Sequence, residues 1–152
     1  MRFHDHRIKI VMWAIFLILL LYVGFNFFSG VGRSVIKVND KEIYVEIADE
    51  PDEYDRGLMF RDKLADNAGM WFIFENEAAR AFWMKNTFIP LDIIFVDSDL
   101  NIAQILENVE PCLADPCTTY SSEMPVQYVL EVNAGFTDAN NLKIGDRIEF
   151  VR

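Results

Sequence analysis

The sequence predicts a mainly β protein: a compact β-sandwich or partly closed barrel of about eight short strands with one or two short helices, preceded by an N-terminal transmembrane helix. Three observations lead there. Ile10 to Phe28 is a run of 19 residues without a charge, about 28 Å long as a helix and close to the ~30 Å core of a bilayer. Beyond it the apolar runs are short, several alternate with polar residues, and turn signals separate them, the pattern of strands and not of amphipathic helices. No predicted helix there is long enough to cover a parallel sheet, so parallel βαβ units are not expected.

In chain order, residues 1–9 form a leader carrying Arg2, Arg7 and Lys9 against Asp5. This basic flank places the N-terminus in the cytoplasm and sends the chain after the span across the membrane. The run exceeds the usual length of a signal-peptide core and lacks an Ala-x-Ala site, so it reads as a retained anchor, residues 10–28. Residues 29–34 are a short tether, and residues 35–152 are a single extracytoplasmic β domain, periplasmic or extracellular.

Within that domain, Val35–Val38 and Glu42–Ala48 flank the Asn39-Asp40 turn as a half-buried hairpin, with Ile43, Val45 and Ile47 facing one way. Pro51 opens a helix of two turns or fewer that Gly57 stops. Gly69–Phe74 is a strand, Glu75-Asn76-Glu77 a turn, and Ala81–Met84 a second strand. Leu91–Val96 is nearly all apolar, as a strand buried on both faces would be. Ile102–Val109 follows the Asp97-Ser98-Asp99 turn. Residues 110–125 read as a loop, Val126–Val132 as a strand, and residues 134–143 as a helical turn capped by Thr137. Gly145-Asp146 leads into a last strand, Arg147–Val151.

The charge splits at the anchor. Residues 1–33 carry four Lys/Arg and one acid; the remainder carries ten Lys/Arg and 23 Asp/Glu, a net charge of −13. Such a domain repels phosphate backbones, so no nucleic-acid partner is expected. Both histidines, His4 and His6, precede the apolar run. The β domain therefore has no Ser-His-Asp or Cys-His catalysis and no His-ligated zinc, and no cofactor is called for. The two cysteines, Cys112 and Cys117, suit a structural disulfide closing a small loop in an oxidising compartment, rather than a redox pair or a metal site. Met59, Met70, Met84 and Met124 offer thioethers to Cu(I), but the first three lie in apolar runs and read as core. The aromatic run Trp71, Phe72, Phe74, Phe82, Trp83 reads the same way, with one ring left to stack on a sugar.

Three blocks exceed what strand propensity requires: Arg56-Gly57-Leu58-Met59-Phe60-Arg61; Phe82-Trp83-Met84-Lys85-Asn86-Thr87 with Pro90-Leu91-Asp92 behind it; and Val129-Leu130-Glu131-Val132 followed by Gly135 and Gly145-Asp146. With these, the chain resembles the domain of unknown function 192 family over residues 35–151. Gly57–Arg61, Gly69–Phe74, Trp83–Thr87, Ile89–Asp92, Val129–Glu131 and Gly145-Asp146 match its pattern in order. The resemblance implies a compact, mainly β domain, often behind an export signal or anchor in prokaryotes, with a cysteine pair typical of exported members. It implies no activity, substrate or catalytic residue.

Arg56, Arg61, Lys85, Asn86, Asp92 and Glu131 are the candidate ligand-binding residues. Two cations beside Asn86 would suit a small anionic or sugar ligand; the same groups also read as ion pairs holding a loop to the sheet. Lys85 and Asp92 are expected to pair across the bend at Pro90, with Asp92 at least partly buried. The favoured function is a non-enzymatic binding or accessory module of the cell envelope. The alternative is a carboxylate-based hydrolase acting on an envelope glycan, with Asp92 and Glu131 as its acid/base pair across an open cleft. A third reading is an interaction subunit whose anchor contacts a membrane partner.

Overall fold

The computed structural model describes residues 34–151, together with Met12 and Trp13. The anchor expected at residues 10–28 otherwise lies outside the described residues, among which no helix is long and apolar enough to cross a membrane.

The domain is mainly β, with nine strands and two short helices among the described residues. The strands are β1 (Ser34–Val38), β2 (Lys41–Ala48), β3 (Ala68–Ala78), β4 (Ala81–Trp83), β5 (Leu91–Val96), β6 (Ile102–Val109), β7 (Thr119–Ser121), β8 (Val126–Asn133) and β9 (Ile148–Val151). The helices are α1 (Pro51–Arg56) and α2 (Phe136–Ala139). Seven strands form one sheet in the order β6-β5-β8-β3-β2-β1-β9, and β4 pairs with β7 in a separate two-stranded sheet. The outer strands meet at one end, where Asn101 bridges to Arg147 and Ile102 N–H donates to Asp146 O at 2.8 Å. The sheet does not close into a barrel.

The β1–β2 hairpin forms as expected, Ile36 opposite Ile43. Parallel βαβ units are not expected from the sequence, yet β2 and β3 pair in parallel across a short helix, Val45 opposite Gly69. The crossover is made by α1 and the loop after it, not by a long helix. α1 itself is locally specified. The Glu53 carboxylate accepts the N–H groups of Asp49 and Glu50, Pro51 occupies the first turn, and Gly57 caps the end at φ 46°. The Tyr54 hydroxyl lies between the carbonyls of Asp49 (2.7 Å) and Ile73 (2.6 Å), pinning α1 to β3.

Three smaller expectations also change. Glu75-Asn76-Glu77 is the exposed end of β3, where the register to β8 shifts, and not a turn. The loop of residues 110–125 contains β7, which pairs Tyr120 with Phe82. Thr137 does not cap α2: Gly135, at φ 78°, holds the cap position, and the Thr137 hydroxyl goes to Asp92 instead.

The large sheet is packed on both faces. Trp71, Ile94, Leu130 and Val132 belong to one apolar cluster with Ile36, Ile43 and Val45. Phe72, Ile93, Phe95 and Val129 belong to a second, with Leu58, Met70 and Met84. The assignments alternate along β3, β5 and β8, as the pleat requires. Every residue of β5 is buried, which is why its sequence shows no alternation. The β4–β7 sheet covers the second face through Phe82, whose ring stands edge-on to Phe72 (5.0 Å), Phe74 (6.4 Å) and Phe95 (6.1 Å).

Candidate functional site

Parts of the three sequence blocks converge over this second face. The turn after α1 brings Gly57 to Met59 there, the turn after β4 brings Met84 to Thr87, and β8 supplies Glu131 from beneath. Gly135 and Gly145-Asp146 lie elsewhere, Gly135 at Asp92 and Asp146 against Ile102. Backbone hydrogen bonds hold the two turns together and to the disulfide loop. Phe60 N–H donates to Asn86 O at 2.8 Å, Asn86 N–H to Cys112 O at 3.0 Å, and Cys112 N–H to Met84 O at 3.0 Å. Phe60 and Asn86 both adopt positive φ, 63° and 53°. For a residue as bulky as phenylalanine this is costly, and the surrounding contacts must impose it.

Glu131 lies at the floor of a small pocket of about 20 Å³ whose walls include Arg56, Gly57, Phe72, Trp83 and Thr87. The residue is 4% exposed, and its carboxyl receives no hydrogen bond from the other described residues. Burial pushes the carboxyl up to about 8, against the opposing pull of the Arg61 charge. Thr87 is likewise buried, and its hydroxyl makes only a long contact, 3.5 Å, to Lys85 O. A pocket of this size holds one water-sized group. It opens beside a cleft of about 380 Å³ between α1 and the β4–β7 sheet, and the two share Tyr54, Asp55, Phe82 and Trp83.

Of the six candidate residues, the structure brings two to this pocket, Arg56 and Glu131. Arg56 is exposed at its rim. Arg61 lies close enough to act electrostatically on Glu131, but its guanidinium is engaged with both carboxylate oxygens of Glu46 at 2.6 Å. That hydrogen bonding keeps Arg61 firmly protonated. Asn86 serves through its backbone, as a turn.

The expected pairing of Lys85 with Asp92 does not occur. Lys85 Nζ reaches Asp115 in the disulfide loop at 2.8 Å and sits 5.4 Å from the centroid of the Trp83 ring. Asp92 is fully buried, as expected, but its partners are different. One oxygen accepts the N–H groups of Asn108 (2.9 Å) and Gly135 (3.1 Å); the other accepts the N–H (2.9 Å) and hydroxyl (2.7 Å) of Thr137. Asp92 thus welds the start of β5 to α2 and β6. It is also on the wrong face. Directly paired residues point the same way, and Asp92 pairs with Val132 while Ile93 pairs with Glu131. Asp92 and Glu131 therefore project from opposite faces of the sheet and form no acid/base pair.

The residues missed from sequence were Tyr54, Gly57, Phe72, Trp83 and Thr87 as walls. All but Tyr54 lie in the matching blocks, so block membership was the better signal; charge and polarity alone selected Lys85 and Asn86. Cys112 and Cys117 form the expected disulfide. Met70 and Met84 are buried in the core, whereas Met124 is exposed.

The family model of the domain of unknown function 192, described as an uncharacterised ACR, matches residues 34–150. The chain belongs to this family. No curated protein matches it with significant similarity. Among solved structures, it is similar to a proposed transcription regulator from Sinorhizobium meliloti 1021, at 34% identity and a TM-score of 0.74, covering 79% of this chain and 95% of that one. It is also similar to a protein of unknown function from Novosphingobium aromaticivorans DSM 12444, at 35% identity and a TM-score of 0.71, covering 76% and 83%.

Proposed function

We propose that this protein is a non-enzymatic binding module of the cell envelope, held at the cytoplasmic membrane by residues 10–28 with its β domain on the outer side. One observation carries the binding role: Glu131, a carboxyl in a 4% exposed residue with no hydrogen bond from the other described residues, lines a pocket together with residues of the Gly57–Arg61 and Trp83–Thr87 blocks. A carboxyl held in an otherwise largely apolar wall with no hydrogen bond from the described residues is a group with capacity to take a ligand. The hydrolase reading loses its support, because Asp92 is saturated by four hydrogen-bond donors on the opposite face. Direct nucleic-acid binding suits this chain poorly, given a net charge of −13 after Arg33. The uncharged run and its basic leader support the membrane placement.

The test is a thermal-shift screen of sugars, carboxylates, amines and peptidoglycan fragments against the wild type and Glu131→Gln. A ligand that raises the wild-type Tm and not that of the variant is expected. If no compound shifts either protein, or every hit is indifferent to the substitution, the binding reading falls. Fractionation with protease protection tests the placement: a domain shielded from protease added outside rejects it.

A further inference from the structure

We infer that the Glu131 pocket takes a primary ammonium group, with the carbon body of its ligand lying along the neighbouring cleft past Trp83. This rests on the binding reading above and names its ligand class. Size comes first. A space of about 20 Å³ at the carboxyl admits one heavy atom with its hydrogens, such as an ammonium, and excludes a carboxylate or a sugar ring. Polarity comes second. The two polar side chains buried in the pocket, Glu131 and Thr87, both present oxygens, and the Thr87 hydroxyl has no short contact of its own. An ammonium carries three donors and no acceptor, which complements that arrangement once Glu131 has released the proton that burial makes it hold up to about pH 8.

The walls point the same way. Tyr54, Phe72, Phe82 and Trp83 surround the space, and aromatic faces attract a desolvated cation. Asp55 adds a second carboxylate at the opening, against the single exposed cation Arg56. Two of the candidate cations are occupied, Arg61 by Glu46 and Lys85 by Asp115; Arg80, which lines the adjoining cleft, lies over the Phe74 ring and donates to Asn76. The domain's charge of −13 steers cations inward at long range. The adjoining cleft of about 380 Å³, which shares Trp83 and Phe82 with the pocket as walls, leaves room for an alkyl chain or a larger body behind the amine.

Titration calorimetry and thermal shift on the full chain, at constant ionic strength and at pH 9, where Glu131 is ionised and simple alkylamines remain protonated, test this with methylammonium, ethylammonium and n-butylammonium chloride. The matching alcohols are the neutral controls. Tetramethylammonium is the control for size, being too bulky for the pocket yet equally drawn to an acidic surface. The primary amines should raise the Tm and the two controls should not. Glu131→Gln should weaken amine binding by at least about tenfold, the loss expected when a charge-assisted partner is removed. Trp83→Ala, at a ring 45% exposed and therefore tolerant of truncation, should weaken n-butylammonium more than methylammonium, and it keeps the test open if Glu131→Gln folds poorly. Alcohols or tetramethylammonium binding as well as the amines, an unchanged response in Glu131→Gln, or no response to any amine would each overturn the ammonium assignment. A sugar or carboxylate that binds in a Glu131-dependent way would overturn it while leaving the binding module intact; silence from every compound class removes both.

Discussion

Thr137 gives both its backbone N–H and its hydroxyl to the same oxygen of Asp92, at 2.9 and 2.7 Å. The other oxygen accepts two further N–H groups, so a carboxylate at the start of β5 organises three chain segments. Asp92→Asn keeps the shape but turns an amide N–H₂ toward donors. The expected loss is about 3 kcal/mol in urea denaturation, since hydrogen bonds to a charged group are worth about 1.5–3 kcal/mol each. Thr137→Val removes only the hydroxyl and should lose about half as much. An Asp92→Asn protein as stable as the wild type would show that Asp92 does not hold this corner.

Gly69 lies where β3 approaches β8 beneath the site. A Cβ there would sit 2.6 Å from the Glu131 carbonyl oxygen, a backbone atom that cannot swing aside, and 3.1 Å from Val132 Cγ1. Gly69→Ala should therefore part the strands and cost about 3 kcal/mol, the upper range for overpacking. Gly57 is different. A methyl there would meet Phe72 and Glu131 only at ordinary contact, 3.5 and 3.7 Å, but at φ 46°. Gly57→Ala should cost about 1–2 kcal/mol through the backbone and should hinder ligand entry more than its stability loss explains. Thermal melts of both variants beside binding measurements separate the two effects; equal destabilisation would contradict the assignment of crowding to Gly69 alone.

The disulfide loop braces the Trp83–Thr87 turn through Cys112, which hydrogen-bonds Met84 and Asn86 through its backbone. Replacing Cys112 and Cys117 by serine should lower stability by about 2 kcal/mol, because the closed loop is short. Lys85→Ala should change it by less than about 1 kcal/mol, since the pair with Asp115 is largely exposed. A Lys85→Ala loss as large as that of the double serine variant would mean that the ion pair, and not the cross-link, holds the turn.

How much of this was legible follows from what each feature depends on. The all-apolar Leu91–Val96 run, the Pro51 start and Gly57 stop, and the burial of Asp92 depend on local composition, and the sequence discloses them. The three residues Thr119–Ser121 carry too little pattern to announce a strand; β7 exists because Phe82 of β4 needs cover. The parallel β2–β3 pair was missed because its crossover is mostly loop. Lys85 and Asp92 are seven residues apart, but strand pairing and the disulfide loop decide what each meets. Glu131 was recognisable as a charge in an apolar strand; its separation from Asp92 was not, because the shared face depends on register with a neighbour.

Glu131 makes stability depend on pH, and the sign can be fixed. Below about pH 4.5, the ordinary value for the carboxyl, the group is protonated in folded and unfolded chains alike and nothing is lost. As pH rises from there to about 8, the unfolded chain releases the proton while the folded chain retains it, so the folded state weakens by up to ~1.4 kcal/mol per pH unit. Above about pH 8 the loss is complete, on the order of 4–5 kcal/mol from this group. Glu131→Gln is neutral throughout and mimics the protonated acid. Its stability should match the wild type near pH 4.5 and exceed it increasingly toward pH 9, the difference curve isolating this one group from the other carboxylates. Removing the opposing charge with Arg61→Ala should move the midpoint of that curve to still higher pH. Urea denaturation of the three proteins from pH 4 to 9 measures it, and parallel curves for wild type and Glu131→Gln would mean that the carboxyl is ionised and solvated in the folded protein.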